Sequence, residues 1–141
     1  MGFTQPAYGY LWKSELYKSG ITLNKEDYTN PAMEAEFGII LNRDIKIELA
    51  SIKYILESIE GIYPLIEIHN LVFYGDEPHG AELLANNAIH AGVVLGQETK
   101  LPLDKIKTDL KLIYDKEIID IWINKIWPND MLSEIEWLIK E

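Results

Sequence analysis

Hydrophobic residues recur with a helical period in two parts of the chain, and a capping sequence marks the start of a third helix. Over residues 47–60, apolar residues stand three or four positions apart with charged residues between them, which predicts an amphipathic helix. These apolar residues are Leu49, Ile52, Leu56 and Ile59. Gly61 is predicted to end this helix. The same spacing predicts a second helix over residues 81–91, and a third is predicted to begin at 128–130 and to run to the end of the chain.

Alternating or continuous apolar runs, bounded by polar residues and glycines, predict the strands. The predicted strands cover residues 33–41, 62–69, 92–96, 109–114 and 117–123. The last two are predicted to form a hairpin around Asp115 and Lys116. The pattern therefore predicts an α+β fold with about three helices, in one domain over residues 1–141.

Composition and charge narrow the classes of function. With 141 residues, of which 48% are hydrophobic, the chain has the composition of one globular domain. Its 13 basic and 23 acidic side chains give a net charge of −10, and nucleic acid is a poor partner for such a surface. Apolar runs fall short of the roughly 18 residues that a membrane span requires. We therefore expect a cytoplasmic protein with no nucleic-acid or membrane partner.

Carboxylates are the main candidates for chemistry. The chain has no cysteine, so a metal ion would bind carboxylates, imidazoles or carbonyls. Glu34 and Glu36 lie on one face of a predicted strand, about 7 Å apart. Glu67 lies in an apolar strand, where a carboxylate is costly unless it is paired or bound to metal. A divalent cation would satisfy all three groups, whereas the alternative is that Glu34 and Glu36 form a solvated face.

The three histidines are further candidates. His69 follows Glu67 on the same strand face, and can support a metal ligand or simply be packed. His79 lies in a loop rich in glycine and proline, and can belong to a lid or be an exposed loop residue. His90 falls on the predicted second helix, which indicates a structural role. His69 and His79 are therefore the candidate catalytic groups, with no role assigned.

Several blocks in order along the chain resemble the family of 2-keto-4-pentenoate hydratases, 2-oxohept-3-ene-1,7-dioate hydratases and 4-oxalocrotonate decarboxylases, within the fumarylacetoacetate hydrolase superfamily. The blocks are Gln5-Pro6-Ala7-Tyr8-Gly9-Tyr10-Leu11, Met33-Glu34-Ala35-Glu36-Phe37, Leu41-Asn42-Arg43-Asp44, Pro64-Leu65-Ile66-Glu67-Ile68, Leu84-Ala85-Asn86-Asn87-Ala88, Val94-Leu95-Gly96 and Glu134-Ile135-Glu136-Trp137-Leu138. The resemblance implies a mainly antiparallel, rolled β-sheet of the fumarylacetoacetate hydrolase type, incomplete in this chain.

The resemblance also implies a site and a reaction. Glu34, Glu36 and Glu67 match the positions at which that family binds Mg²⁺ or Mn²⁺. The implied substrate is an unsaturated 2-oxo acid, of the 2-hydroxypenta-2,4-dienoate type, from aromatic ring-cleavage catabolism. The bound cation would stabilise the negative charge that develops as water adds or carbon dioxide leaves.

The chain also departs from the family pattern. Ala7 stands where an acidic residue is common, Asn86 where Asp is usual, and Val72 where Arg is usual. The family's upstream Gly-x-Lys-x-Gly-Leu-Thr segment, whose Lys takes part in acid–base chemistry, and its closing strands have no counterpart here. The resemblance thus leads us to expect a domain truncated at both ends.

Three hypotheses follow from these observations. The first is that the chain is a metal-dependent hydratase, with decarboxylation ranked below hydration. The second is that it is a non-catalytic homologue that keeps the scaffold and a divalent-cation site. The third is that its glutamates are only a surface feature of a structural protein. Since an incomplete roll would expose strand edges, we also expect a homo-oligomer or a complementing polypeptide.

Overall fold

The computed structural model describes residues 6–76, 78–97, 106–127 and 129–141. These ranges contain six β-strands and three α-helices, joined by loops and single 3-10 turns. The strands are β1 (Leu16–Lys18), β2 (Pro31–Leu41), β3 (Ile59–Asn70), β4 (His90–Leu95), β5 (Ile106–Tyr114) and β6 (Glu117–Trp127). The helices are α1 (Ile52–Glu57), α2 (Gly80–Ala85) and α3 (Asn129–Lys140). The predicted α+β class and its three helices are confirmed for the described residues.

Four of the strands form one sheet in the order β1-β4-β3-β2. Strand β4 pairs in parallel with β1 and antiparallel with β3, while β5 and β6 form a separate antiparallel pair. Two compact units alternate along the chain. The first comprises Met1–Glu34 with Leu65–Gly96, and the second comprises Ala35–Pro64 with Gln97–Glu141. Strands β2 and β3 therefore contribute residues to both units.

The apolar core of the first unit is formed by side chains from its sheet and from α2. Ile68, Leu83 and Val93 are each at least nine-tenths buried. Ile68 lies opposite Gly92, and Val93 lies opposite Glu67 in the β3–β4 register. Burial of a side chain of this size contributes about 1.5–3 kcal/mol, so these residues fix the part of β3 and β4 that carries the site.

The second unit buries Ile55, Ile62 and Leu132. Helix α1 in this unit ends against the loop after β2. Asn42 Nδ2 and Arg43 Nη2 donate to the carbonyl oxygen of Glu57 at 3.0 and 2.8 Å. These bonds satisfy a carbonyl that the helix itself leaves without a partner. Asn42 and Arg43, the polar residues that follow the predicted strand 33–41, therefore cap the C-terminal end of α1.

The predicted helix over residues 47–60 is wrong at both of its ends. Residues Ile47–Leu49 form a 3-10 turn, and α1 begins only at Ile52. The side chain of Ser51 accepts a hydrogen bond from the Tyr54 amide at 3.2 Å, which starts a new helix within the apolar pattern. Gly61 does not end the helix, because the chain is already extended at Ile59 and Gly61 lies within β3.

The predicted helix over residues 81–91 is also too long. Helix α2 ends at Ala85, and Asn87, Ala88 and Ile89 then adopt positive φ angles of 49°, 55° and 59°. A right-handed helix cannot continue through such residues. His90 therefore lies at the start of β4, and its predicted place on a helix is wrong.

The hairpin and the last helix agree with the sequence pattern. Strands β5 and β6 pair antiparallel, and both turn residues, Asp115 and Lys116, have positive φ, as a primed two-residue turn requires. Helix α3 lies against β6 and buries Leu132, while Pro128 is outside the described residues. Within the part of the chain that the structure describes, no helix combines the length and apolar character needed to cross a membrane.

Candidate metal centre

Two neighbouring strands position the candidate ligands. Glu67 and His69 are two residues apart on β3, so their side chains leave the same face of the sheet. Glu34 lies on β2, which is the neighbour of β3 in the sheet. One ligand atom from each of Glu34, Glu67 and His69 falls within 4.8 Å of the other two. The structure thus brings together two of the three predicted metal ligands with one of the predicted catalytic candidates.

A fourth side chain joins this face because of a β-bulge. The β3–β4 register shifts between Ile68 and His69, so that His69 lies opposite His90 rather than opposite Ala91. An extra residue in one strand re-aims the side chains that follow it. The bulge thereby places His90 beside the carboxylate of Glu67.

Glu67 lies between the two histidines. Its Oε1 is 2.6 Å from His90 Nδ1, a hydrogen bond in which the ring nitrogen donates and the carboxylate accepts. Its Oε2 is 3.3 Å from His69 Nε2. The Glu67 side chain is only 18% exposed, so these two rings and the sheet restrict its orientation. A carboxylate offers about four lone-pair sites, so both oxygens retain capacity for a cation.

Each histidine also faces a second carboxylate. His69 Nδ1 is 4.0 Å from Glu34 Oε1, and His90 Nε2 is 3.7 Å from Glu15 Oε2. Glu15 Oε2 itself accepts a hydrogen bond from the Trp12 amide at 3.0 Å. His90 is 9% exposed, and its buried Nε2 has no hydrogen-bond partner within the described residues. The five side chains form an alternating array of three carboxyl groups and two imidazoles.

The array carries little compensating positive charge. Among the described residues, the ion-pair partners within 4.0 Å of Glu15, Glu34 and Glu67 are histidine nitrogens, with no Lys or Arg. Grouped carboxylates repel each other unless a cation or a hydrogen-bond donor lies near them. The oxygen and nitrogen donors of Glu34, Glu67 and His69 fit a divalent metal ion.

The remaining predicted site residues have different surroundings. Glu36 is exposed and belongs to the part of β2 in the second unit, so its role as a ligand stays a prediction. His79 is exposed immediately before α2, and its amide donates to Glu82 Oε2 at 2.7 Å. That bond caps the helix, and a catalytic role for His79 stays a prediction.

Sequence reasoning missed Glu15 and His90. Glu15 lies in a polar stretch that has no periodicity, on a 3-10 turn immediately before β1. The helical spacing of apolar residues continues through the turn after α2, so His90 was assigned to a helix. The pair Asn86-Asn87 was the available signal, because asparagine is enriched at positive φ.

Comparison with known proteins relates this geometry to a family. No protein-family model matches the chain. The chain is 25% identical over 121 residues to the TodF product hydratase of Pseudomonas putida. The aligned region covers 86% of this chain and 45% of that protein. Its fold is similar to that of the 4-oxalocrotonate decarboxylase from Pseudomonas putida, solved with magnesium and adipate, with a TM-score of 0.70. That alignment is 15% identical and covers 88% of this chain and 48% of the decarboxylase.

The resemblance to the hydratase and decarboxylase family is confirmed. The chain spans about half the length of each of these two proteins. Two blocks that carry the family resemblance also meet in the structure. The Asn87 side chain accepts from the Tyr10 amide at 2.9 Å and donates to the Tyr10 carbonyl at 2.7 Å. The side-chain amide of Asn87 thus tethers the segment before β1 to the turn before β4.

Proposed function

We propose that this protein is a divalent-cation-dependent hydratase that acts on an unsaturated 2-oxo acid of the 2-hydroxypenta-2,4-dienoate type, in aromatic ring-cleavage catabolism. The observation that carries the proposal is the convergence of Glu34, Glu67 and His69 within 4.8 Å. Two of these residues match the positions at which the family binds its metal ion. The similarity to a hydratase and to a decarboxylase solved with magnesium supports the same conclusion.

In the proposed site, Glu34, Glu36 and Glu67 hold Mg²⁺ or Mn²⁺. The ion would supply Lewis acidity toward the keto and carboxylate oxygens of the substrate. Glu67 is restrained by the hydrogen bond from His90, whereas Glu34 is 57% exposed. This difference gives the site a fixed inner side and an outer side that a small anionic substrate can reach from solvent.

A non-catalytic homologue is the alternative function. Ala7 is exposed and stands where the family commonly has an acidic residue. A chain of this kind would keep the scaffold and the cation site without the proton-transfer groups. Binding of the cation is common to both functions, so turnover decides between them.

The deciding experiment measures binding and turnover on the same preparations. Calorimetry with Mn²⁺ and Mg²⁺ is expected to show binding to the wild type, with a loss of about tenfold or more in Glu67→Gln. Glu48→Gln is the matched control, because Glu48 is an exposed glutamate in the second unit. Hydration of 2-hydroxypenta-2,4-dienoate is assayed with either ion, for this chain alone and with any polypeptide encoded beside it. Release of carbon dioxide from 4-oxalocrotonate tests decarboxylation.

The outcomes separate the three hypotheses. Hydration that is lost in Glu67→Gln supports the hydratase. Cation binding without turnover in either assay supports the non-catalytic homologue. Absence of cation binding by the wild type contradicts both, and leaves the glutamates as a surface feature.

We also propose a rolled sheet completed by a second copy of the chain or by a complementing polypeptide. The β5–β6 pair supports this proposal, since several of its isoleucines are exposed. They are Ile113, Ile118, Ile119, Ile121 and Ile123. Exposed apolar groups on paired strands are typical of surfaces that become covered. Light scattering at micromolar concentration is expected to give a mass above that of one chain. The cytoplasmic location stays a prediction.

A further inference from the structure

His69 lies between Glu34 and Glu67, two of the three carboxylates to which the proposed function assigns the cation. Its Nδ1 is 4.0 Å from Glu34 Oε1, and its Nε2 is 3.3 Å from Glu67 Oε2. The ring is only 16% exposed, so its orientation is restricted by the surrounding sheet. A histidine held in this way presents one nitrogen to each carboxylate.

We propose that His69 is itself a ligand of the cation, and that the site prefers a transition-metal ion such as Mn²⁺, Co²⁺ or Zn²⁺ to Mg²⁺. Imidazole nitrogen is a good ligand for transition-metal ions, whereas Mg²⁺ demands an octahedral shell of oxygens. A ligand set in which an imidazole joins the carboxylates therefore discriminates against Mg²⁺. This inference rests on the proposed function, and it specifies which ion that function uses.

The surroundings of His69 are those of a metal-binding histidine. Such a histidine usually donates its second ring N–H to a carboxylate or carbonyl, which fixes the tautomer and the ring orientation. Nε2 of His69 faces Glu67 Oε2 at 3.3 Å and Nδ1 faces Glu34 Oε1 at 4.0 Å, so whichever nitrogen binds the cation, the other has a carboxylate on its side of the ring.

His90 differs from His69 in this respect. Its Nδ1 is already engaged with Glu67 Oε1 at 2.6 Å, and its other nitrogen is buried toward Glu15. His90 is therefore a positioning residue for Glu67, while His69 is the nitrogen ligand. This distinction provides an internal control, because both rings touch the same carboxylate.

Calorimetry and electron paramagnetic resonance with Mn²⁺ test the assignment without an activity assay. The wild type is expected to bind Mn²⁺ about tenfold or more tightly than Mg²⁺, and bound Mn²⁺ should show electron spin echo modulation from a directly coordinated ¹⁴N. In His69→Gln, Mn²⁺ affinity should fall about tenfold or more, Mg²⁺ affinity should change little, and the nitrogen modulation should disappear. His90→Phe should keep the modulation, and Glu48→Gln, on an exposed residue of the second unit, should resemble the wild type in both measurements.

A second variant keeps the test decisive if His69→Gln folds poorly. His69→Asp replaces the nitrogen with an oxygen donor, so its preference for Mn²⁺ over Mg²⁺ should shrink or reverse. A wild type that binds Mn²⁺ without nitrogen modulation, or an unchanged ion preference in His69→Asp, overturns the assignment of His69 and leaves the proposed function standing. If the wild type binds neither Mn²⁺ nor Mg²⁺, the proposed function is overturned, and the inference with it.

Discussion

The Nδ1 atom of His90 lies 2.6 Å from Oε1 of Glu67, and this hydrogen bond joins β4 to β3 at the candidate metal centre. It exists because the β-bulge opposite Ile68 and His69 moves His90 onto the face that carries Glu67. The bond is short and only slightly exposed, which makes it one of the stronger interactions of the site. Its effect is to hold one carboxylate in a fixed orientation before any cation binds.

Replacing His90 with Phe should weaken cation binding. The variant keeps an aromatic ring in the same strand position but cannot donate to Glu67, so the carboxylate loses its restraint. Loss of a partner of this kind typically costs 10- to 100-fold in metal affinity, and we expect a decrease within that range for Mn²⁺ by calorimetry. His90→Asn is the matched variant, because its amide retains a donor and should bind more tightly than His90→Phe. Equal affinities of wild type and His90→Phe would show that Glu67 needs no support.

Single substitutions of the glutamates on β2 should establish the oxygen ligands. Glu34→Gln and Glu36→Gln are each expected to lower Mn²⁺ affinity about tenfold or more, since a neutral amide is a weaker ligand than a carboxylate. Glu48→Gln serves as the control for loss of one negative charge. If Glu36→Gln binds like Glu48→Gln, the ligand set is Glu34, Glu67 and His69, and the role that the family resemblance implies for Glu36 is wrong.

The sequence pattern was most informative where a hydrophobic run and the polar residues that bound it coincide with one strand or turn of the structure. Strand β2, most of β3 and the turn at Asp115 and Lys116 were all predicted, and Glu34 and Glu67 were placed on two strands that prove to be neighbours in the sheet. The helix predicted over residues 47–60 failed because Ser51 caps a new helix inside an unbroken apolar pattern. A local hydrogen bond of that kind leaves the hydrophobic period unchanged.

His90 could not be placed from the sequence for a different reason. Its position depends on three successive residues at positive φ, two of which, Ala88 and Ile89, are residue types that rarely adopt this conformation. Residue type therefore argued for a continuing helix. The tertiary contacts that stabilise the turn, including the pairing of Asn87 with Tyr10, join residues 77 positions apart.

Gly92→Ala should destabilise the strand that carries His90. Gly92 has a φ of +142°, and a Cβ placed there would lie 2.7 Å from Tyr17 Cε2 and 3.1 Å from the Glu15 carbonyl oxygen. Steric overlap and an unfavourable φ together should lower the free energy of unfolding by about 1–3 kcal/mol or more, measured by urea denaturation. Gly20→Ala separates the two effects, because Gly20 has a φ of +87° but nothing within 4 Å of the added Cβ. Equal losses in the two variants would contradict a role for the contact with Tyr17.

Gly9 and Asn87 should be energetically coupled. A Cβ on residue 9 would overlap Asn87 Oδ1, the atom that accepts the hydrogen bond from the Tyr10 amide. Gly9→Ala should therefore cost about 1–3 kcal/mol of unfolding free energy through loss of the two Asn87 hydrogen bonds. In the background of Asn87→Ala, where no such bonds remain, the same substitution should cost much less. A double-mutant cycle measures the difference, and strictly additive effects would contradict the coupling.

Because of Tyr28, the free energy of unfolding should decline at alkaline pH. Burial raises the pKa of Tyr28 above its ordinary value of 10.0, and the charge and hydrogen bond of Tyr17 add to the rise. Between pH 10.0 and the raised pKa, the folded protein keeps a phenolic proton that the unfolded chain has released, so the free energy of unfolding falls as pH increases. This contribution is fully present below pH 10.0 and is lost as the pH rises through the pKa of the folded state.

Two substitutions test this dependence on pH. In Tyr28→Phe, the alkaline decrease of the unfolding free energy should be less steep than in the wild type, because the titrating phenol is gone. In Tyr17→Phe, the pKa of Tyr28 should move toward 10.0, since the neighbouring charge and hydrogen bond are removed. Tyrosinate absorbance, taken as the difference between each protein and its Tyr28→Phe counterpart, reports that pKa directly. A difference titration centred at or below pH 10.0 in the wild type would contradict the prediction, because burial and Tyr17 both favour the neutral phenol.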